Sequence, residues 1–234
     1  MTGVQTCALP IFAVTPLRPA NCGFLVDWSP KIRETFAGAP LKTVALSHAE
    51  MRVRGEAMVT SAGLEGGAIY ALSASLREAI ATHELATITI DFKPDLSEAA
   101  LAARLKRKPG QSMSTLLRKG AGLAPAAMNI LREAGPLPEG EALAKHVKNC
   151  ALRLVGTASI ARAISTAGGV SWSEIDQDFM LRKRPGVFVA GEMIDWEAPT
   201  GGYLLQASFA TGAAAGRAAA RWASTASMPP HFYA

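Results

Sequence analysis

The stretch PGVFVAGEMID, residues 185–195, with PTGGYLLQ, residues 199–206, after it, decides how this chain is read. Val187 to Ala190 is a continuous apolar run, the mark of a strand buried on both faces as in parallel sheets. It ends at Gly191, where the lack of a side chain lets another group press against the backbone. Glu192 then stands at the carboxyl end of a parallel strand, where α/β sheets bind ligands. A carboxylate there accepts a hydrogen bond from a ribityl or ribose hydroxyl.

Thr200, Gly201 and Gly202 open a helix predicted from Leu205 to Ala223. Its first turn offers unpaired N–H groups and a partial positive charge of about half a unit. That end suits a phosphate, or the electron-rich N1/O2 edge of a reduced flavin. Gly212 and Gly216 share a face among Ala213, Ala214 and Ala215, so the helix can lie close to a sheet or a cofactor, or simply pack as an Ala-rich helix. Arg217 and Arg221 exclude a membrane GxxxG reading.

Working outward, residues 12–93 read as mostly β, with strands at Gly23–Trp28, Leu41–Leu46, Ala57–Thr60 and Ile88–Phe92. Gly63, Gly66 and Gly67 form a loop before a helix over Ala68–Ala81, whose face is Ile69, Leu72, Leu76 and Ile80. Residues 94–148 change to a helical module: Glu98–Arg107 capped by Ser97, then Met113–Lys119, Pro125–Ala134 and Glu141–Lys148. Arg104, Lys106, Arg107 and Lys108 form either a phosphate patch or a solvated helix end; no aromatic residue interleaves them as a nucleic-acid surface requires. Ala151–Val155 reads as a strand and Ser159–Ser165 as a short helix before Gly168-Gly169. Residues 224–234 carry no pattern and read as a disordered tail. Residues 1–11 (MTGVQTCALPI) carry none either and resemble translated adapter read-through from metagenomic reading frames; they are expected to be non-native.

The chain has 234 residues, 49% hydrophobic and 18% charged, with a net charge of +5. That excludes wholesale disorder and fits a soluble enzyme of anionic ligands as easily as a nucleic-acid binder. Cys7, Cys22 and Cys150 form no CxxC pair, so no zinc ribbon or disulfide framework is expected and a cytoplasmic setting is natural. His48, His83, His146 and His231 are scattered, Asp176 and Asp178 lack the spacing of a metal loop, and no GxSxG occurs; no metal and no catalytic acid or base is assigned. Arg182, Lys183 and Arg184 form a solvated face or meet cofactor phosphate. Trp196 and Tyr203 either stack near a flavin or, for Trp196, pack as a loop residue.

TAGGV at 166–170, the 185–195 and 199–206 runs, and Ser208 to Gly212 together resemble a bacterial flavoprotein family, the aminoacetone-oxidase-like NAD(P)/FAD-dependent oxidoreductases with a glutathione-reductase-type FAD fold. TSAGLEGGAIYALS at 60–73 and Val155-Gly156-Thr157 resemble further elements of that family. The resemblance implies an α+β fold with a β-barrel-like inserted domain over 12–93, a helical module over 94–148, a return strand and helix over 149–167, and the C-terminal part of a FAD-binding domain over 168–223. It places Gly191 and Glu192 at the ribityl and pyrophosphate of FAD, and Gly201, Gly202, Tyr203 and Leu204 along the isoalloxazine, with Gln206 following in the same turn; Thr200, from the reading of the helix start, completes the cofactor-binding set. The family's GxGxxG unit has no counterpart in these residues, and Gly63 to Gly67 has the wrong spacing to replace it. The expectation is a C-terminal fragment of an enzyme passing electrons between a small-molecule substrate and FAD, with no nucleic-acid or membrane partner. NAD(P) stays open as an electron partner. The other reading is an inactive fragment or a non-catalytic binding module built on the basic residues at 104–108.

Overall fold

A computed structural model describes residues 12–225. The expectation for residues 1–11, and most of that for 224–234, falls outside the described residues. Strands β1 (Val14–Ala20), β2 (Phe24–Leu25), β3 (Pro40–His48), β4 (Met51–Val59), β5 (Gly63–Glu65), β6 (Ala86–Asp91), β7 (Cys150–Leu154), β8 (Gly156–Thr157) and β9 (Ser165–Val170) are present. The helices are α1 (Pro30–Thr35), α2 (Gly67–Tyr70), α3 (Ser73–His83), α4 (Glu98–Arg104), α5 (Met113–Gly120), α6 (Pro125–Glu133), α7 (Glu141–Lys148) and α8 (Tyr203–Thr225). The class is α+β, as the sequence predicts. The chain divides into two compact units, Asn21–Ile164 and, among the described residues, 12–20 with 165–225.

In the larger unit one antiparallel sheet runs in the order β7-β6-β3-β4-β5-β2-β8. β7 and β8 are successive in the chain, separated by Val155 alone, yet they stand at opposite edges of that order. The sheet must therefore curl until its edges meet, and the Val155 amide donates to the Leu25 carbonyl at 2.9 Å across the seam. Closure removes the free edges that would otherwise pair with other chains. β7 alternates cleanly, with Cys150, Leu152 and Leu154 inward and Ala151 and Arg153 outward. At the β2–β5 contact a Cβ on Gly63 would lie 1.9 Å from the Phe24 carbonyl oxygen, so only glycine fits.

Phe24, Leu46, Leu64, Leu76, Ile88 and Ile90 fill the barrel and are all but inaccessible. The same core cluster continues into α4–α7 through Leu101, Leu117, Ile130, Leu143 and Val147. The module's helix starts are locally encoded. The Ser97 hydroxyl accepts from the Ala100 amide at 3.1 Å, the Ser112 hydroxyl from the Thr115 amide at 3.2 Å, and α6 opens on Pro125. A polar network ties α7 to β6. The buried Asp91 carboxylate accepts from Lys148 Nζ at 2.9 Å and from Arg52 at 2.8 Å, and Lys148 Nζ also donates to the Lys93 carbonyl at 2.7 Å.

Several local expectations are corrected. The helix predicted over 68–81 breaks at Ala71–Leu72 into α2 and α3. The Ser73 hydroxyl there accepts from the Cys22 amide at 3.2 Å, pinning the break to the strand side. Gly63, read as loop, begins β5. The 159–165 segment forms only a 3-10 turn at Ile160–Arg162, because Ser165 pairs with Ala20 in a strand. Residues 14–20, read with the barrel, pair instead with β9 in the smaller unit.

In that smaller unit β1 and β9 form an antiparallel ribbon, Val14 opposite Val170 and Ala20 opposite Ser165. Val170, Ile175, Leu181, Val189 and Ile194 form its core. The strand predicted at 187–190 is not formed. Phe188 makes a single antiparallel bridge to Met180, the Val189 amide donates to the Phe179 carbonyl at 3.0 Å, and of the run only Val189 is buried. A doubly covered parallel strand needs backbone on both sides, and the described residues supply only the 179–181 segment on one. The long C-terminal helix does form, 23 residues from Tyr203 to Thr225.

Candidate functional site

The site is built where the 3-10 turn Gly191–Met193 meets α8. Gly191 takes φ +61°, and a Cβ there would stand 3.2 Å from Ser208 Oγ. The group that presses on this glycine is thus Ser208 of α8. The Gly191 amide donates to Thr211 Oγ1 at 2.9 Å, while the Thr211 hydroxyl donates to the Ala207 carbonyl at 2.7 Å. Trp196 Nε1 donates to the Gly191 carbonyl at 3.2 Å. Trp196 is half-buried and packs against the small core.

A second set of bonds fixes the turn from behind. Thr15 Oγ1 donates to Asp195 Oδ2 at 2.6 Å, the Asp195 amide donates to the Val170 carbonyl at 2.9 Å, and Trp172 Nε1 donates to the Asp195 carbonyl at 2.9 Å. The Gly168-Gly169 pair lets the ribbon come this close: a Cβ on Gly169, at φ +130°, would sit 2.6 Å from the Met193 carbonyl oxygen. Glu174 braces the next loop. Its hydrogen bond from Lys183 at 2.9 Å, and then one from the Ala13 amide, holds its carboxyl below the ordinary carboxylate range. Lys183 is therefore spent on Glu174, and Arg221 of α8 on Asp178 at 2.8 Å.

In front of this scaffold lies the loop into α8. Gly201 at φ +122° and Gly202 at φ +90° occupy backbone conformations that side-chain-bearing residues rarely adopt. A Cβ on Gly202 would meet nothing within 4 Å, so the space beside it is open. The Gly202 carbonyl accepts the first helical bond, from the Gln206 amide at 2.9 Å, and the first turn holds no acidic residue. Apolar side chains stand uncovered around it: Met193 at 58% exposure, Tyr203 at 63%, Leu205 at 59% and Phe209 at 66%.

Of the residues read from sequence, Gly191 is buried in the turn, Leu204 is half-buried, and Thr200, Gly201, Gly202, Tyr203 and Gln206 lie exposed about the helix start. Glu192 is exposed on the 3-10 turn and not at the end of a paired parallel strand, for the reason that removes that strand. Gly212 and Gly216 are exposed, with nothing within 4 Å of a built Cβ, so their face of α8 is packed on neither sheet nor loop among the described residues. Thr211, Ser208 and Asp195 lie within the motif runs, but the sequence assigns them no role. A threonine inside an alanine-rich helix was the signal for the first; the others bond to partners remote in sequence. Two histidines have structural partners: His146 Nε2 sits 3.0 Å from the Leu131 carbonyl oxygen and His48 Nδ1 2.9 Å from that of Thr87.

The fit of a flavin can be judged on this geometry. Two glycines with left-handed backbone, open space beside one of them, exposed apolar side chains and unpaired helix-start amides together match a planar ring with one polar edge.

The family model described as "HI0933-like protein barrel and H2TH domain" matches residues 18–165. The chain is also 26% identical over 226 residues to the 3-dehydro-bile acid delta(4,6)-reductase of Clostridium scindens, covering 88% of this chain and 54% of that protein. The chain thus spans about half the length of this curated relative. The antiparallel sheet and the helices that follow it occupy the residues that this barrel and H2TH description matches, and the chain belongs to the HI0933-like family.

Proposed function

We propose that residues 191–209 carry the isoalloxazine end of the FAD site of an oxidoreductase that passes electrons, as hydride, between a small-molecule substrate and FAD. The supporting observation is the open, glycine-only backbone at Gly201-Gly202, set at the start of a 23-residue helix and rimmed by Met193, Tyr203, Leu205 and Phe209. The flavin supplies the redox chemistry when bound; the chain supplies position and electrostatics.

In this reading the Gly201-Gly202 backbone lets a flat ring come within van der Waals distance. The first-turn amides of α8 face its polar edge and favour negative charge there. The four apolar side chains exclude water from the ring's faces, and Gln206 offers an amide from the same turn. Glu192 accepts from a sugar or ribityl hydroxyl. The turn that holds Glu192 is kept in place by the Gly191–Thr211 bond and by Asp195 with Thr15. The reductase name of the relative supports the reaction class, the 185–206 motif supports placing the chain with the aminoacetone-oxidase-like members, and cysteines without a disulfide spacing support a cytoplasmic setting.

Flavin fluorescence titrated with the chain tests this. Gly202→Val forces a β-branched residue into the left-handed region, at a cost of about 1–2 kcal/mol, and fills the open space. It should weaken flavin binding about tenfold or more. Gly216→Val, farther along α8 and exposed, should leave it unchanged. Equal affinity in both variants would remove the loop from the cofactor site.

A further inference from the structure

The helical module carries a second concave surface that the flavin site does not use. It is a cleft of about 530 Å³ between the segment after α4 and helix α5. Arg104, Lys106, Lys108 and Lys119 line it, with Gln111 and Thr115, and no carboxylate does. All four cations are exposed, and among the described residues none of them forms an ion pair. Some cations elsewhere do, among them Arg52, Arg54, Lys148, Lys183 and Arg221, and Arg107, next to the cleft, meets Glu139; others among the described residues, such as Lys31 and Lys145, stand without an ion pair, so what marks the cleft is that four such cations line one hollow. A neighbouring cleft of about 650 Å³ on the far side of Lys106 is balanced by Glu98 and Glu141.

The fold holds these like charges together. A Cβ on Gly120 would stand 2.7 Å from the Arg104 carbonyl oxygen, so glycine alone lets the end of α5 reach the end of α4 and bring Lys119 to Arg104. The Pro109-Gly110 turn is fixed by Gln111, whose side chain accepts from the Lys108 amide at 3.1 Å and whose carbonyl accepts from Arg107 Nε at 2.8 Å. Arg104 and Lys119 lie in the last turns of their helices, where the helix dipole favours cations. That explanation does not reach Lys106 and Lys108, which follow the helix. Four unpaired cations around one hollow repel one another, and a multivalent anion relieves the repulsion. No aromatic side chain lines the cleft to stack a base.

From this we infer that the cleft binds a diphosphate group, either free or as the tail of a nucleotide, recognised through its charge and oxygens. Calorimetric titration of the 234-residue chain with sodium pyrophosphate at low salt tests it. One equivalent should bind, more weakly as salt rises because exposed charges are screened. Lys106→Gln/Lys108→Gln should weaken binding tenfold or more with an unchanged melting temperature. Lys31→Gln/Lys145→Gln, the same loss of charge at exposed positions outside the cleft, should leave affinity as it was. ADP should bind within threefold of pyrophosphate. Four results overturn the inference: no binding at millimolar pyrophosphate, equal losses in the two double variants, ADP binding more than tenfold tighter than pyrophosphate, or duplex DNA binding tighter than either.

Discussion

In residues 21–164 the patterned apolar side chains go inside: Leu46, Ile88, Ile90, Leu117, Ile130 and Val147 are wholly buried. In residues 165–225 Val189 and Ile194 of the informative motif are buried, but the apolar side chains about the start of α8 stay outside. Of the 23 residues of α8 only Ala215 and Ala218 are buried, while Tyr203, Leu205 and Phe209 are more than half exposed. The difference lies in where each segment finds its partners. In the larger unit the five inner strands are paired on both sides, the edge strands β7 and β8 run into each other through Val155, and the core is filled by the chain's own side chains. The smaller unit is held by a few directed bonds, at Thr15–Asp195 and Gly191–Thr211, and leaves its apolar surface uncovered. A buried apolar residue of the first kind serves stability; an exposed cluster of the second kind marks a binding surface.

The largest test of this contrast is a pair of truncations. Leu46→Ala should cost about 2–5 kcal/mol of stability in urea denaturation followed by circular dichroism, because the closed barrel cannot collapse around the cavity. Phe209→Ala should change stability by less than about 0.5 kcal/mol while impairing flavin binding. A Phe209 loss as large as that of Leu46 would erase the distinction.

A smaller effect is expected at the junction of barrel and helices. Asp91→Ala removes the acceptor shared by Lys148 and Arg52 and leaves the largely buried ammonium with the Lys93 carbonyl alone. The expected loss is about 3 kcal/mol. Adding Lys148→Met should restore part of it, because the stranded charge goes with it. If the double variant is less stable than the sum of the two single changes, the network is not what joins these parts.

How legible each part was follows from the same distinction. The helix starts at Ser97, Ser112 and Pro125 could be read because a cap is a local event within four residues. Ile88–Phe92 and Ala151–Val155 could be read because alternation is local too, though each strand starts one or two residues earlier than the pattern marks. Strand β1 went unread because Pro16 and Pro19 argue against a strand; they are tolerated since β1 pairs with β9 alone and keeps one unpaired edge in its sheet. The composition of the run at 187–190 predicts a doubly buried strand. Burial of that kind depends on neighbours that the pattern cannot supply. At the site, Gly201 and Gly202 were legible from glycine's conformational freedom, whereas Thr15 and Asp195 meet across 180 residues of chain and carry no local signal.

The smallest expected effect concerns acid, and it sharpens the contrast within the smaller unit. Glu174 has its carboxyl pK lowered in the fold by the Lys183 hydrogen bond, so its contribution is complete above the unfolded carboxylate value and fades as pH falls through the lower folded value. As pH falls below the ordinary carboxylate range the emission of Trp172 should therefore change as the 174–183 loop loosens, and Glu174→Gln should remove that step. Barrel ellipticity should not follow it. An unaltered acid transition in Glu174→Gln would show that the brace contributes nothing.

The central claim is a division of labour, with the barrel and helices as a self-sufficient core and residues 191–209 as the surface that takes the flavin ring. Hydrogen–deuterium exchange read by mass spectrometry, with and without saturating riboflavin, tests it most directly, because riboflavin carries the ring without the phosphates. The account predicts slower exchange in peptides covering 191–209 and no change in peptides covering β3, β6, β7 or 104–119. Protection of the barrel or the helical module, with 191–209 unaffected, would contradict it.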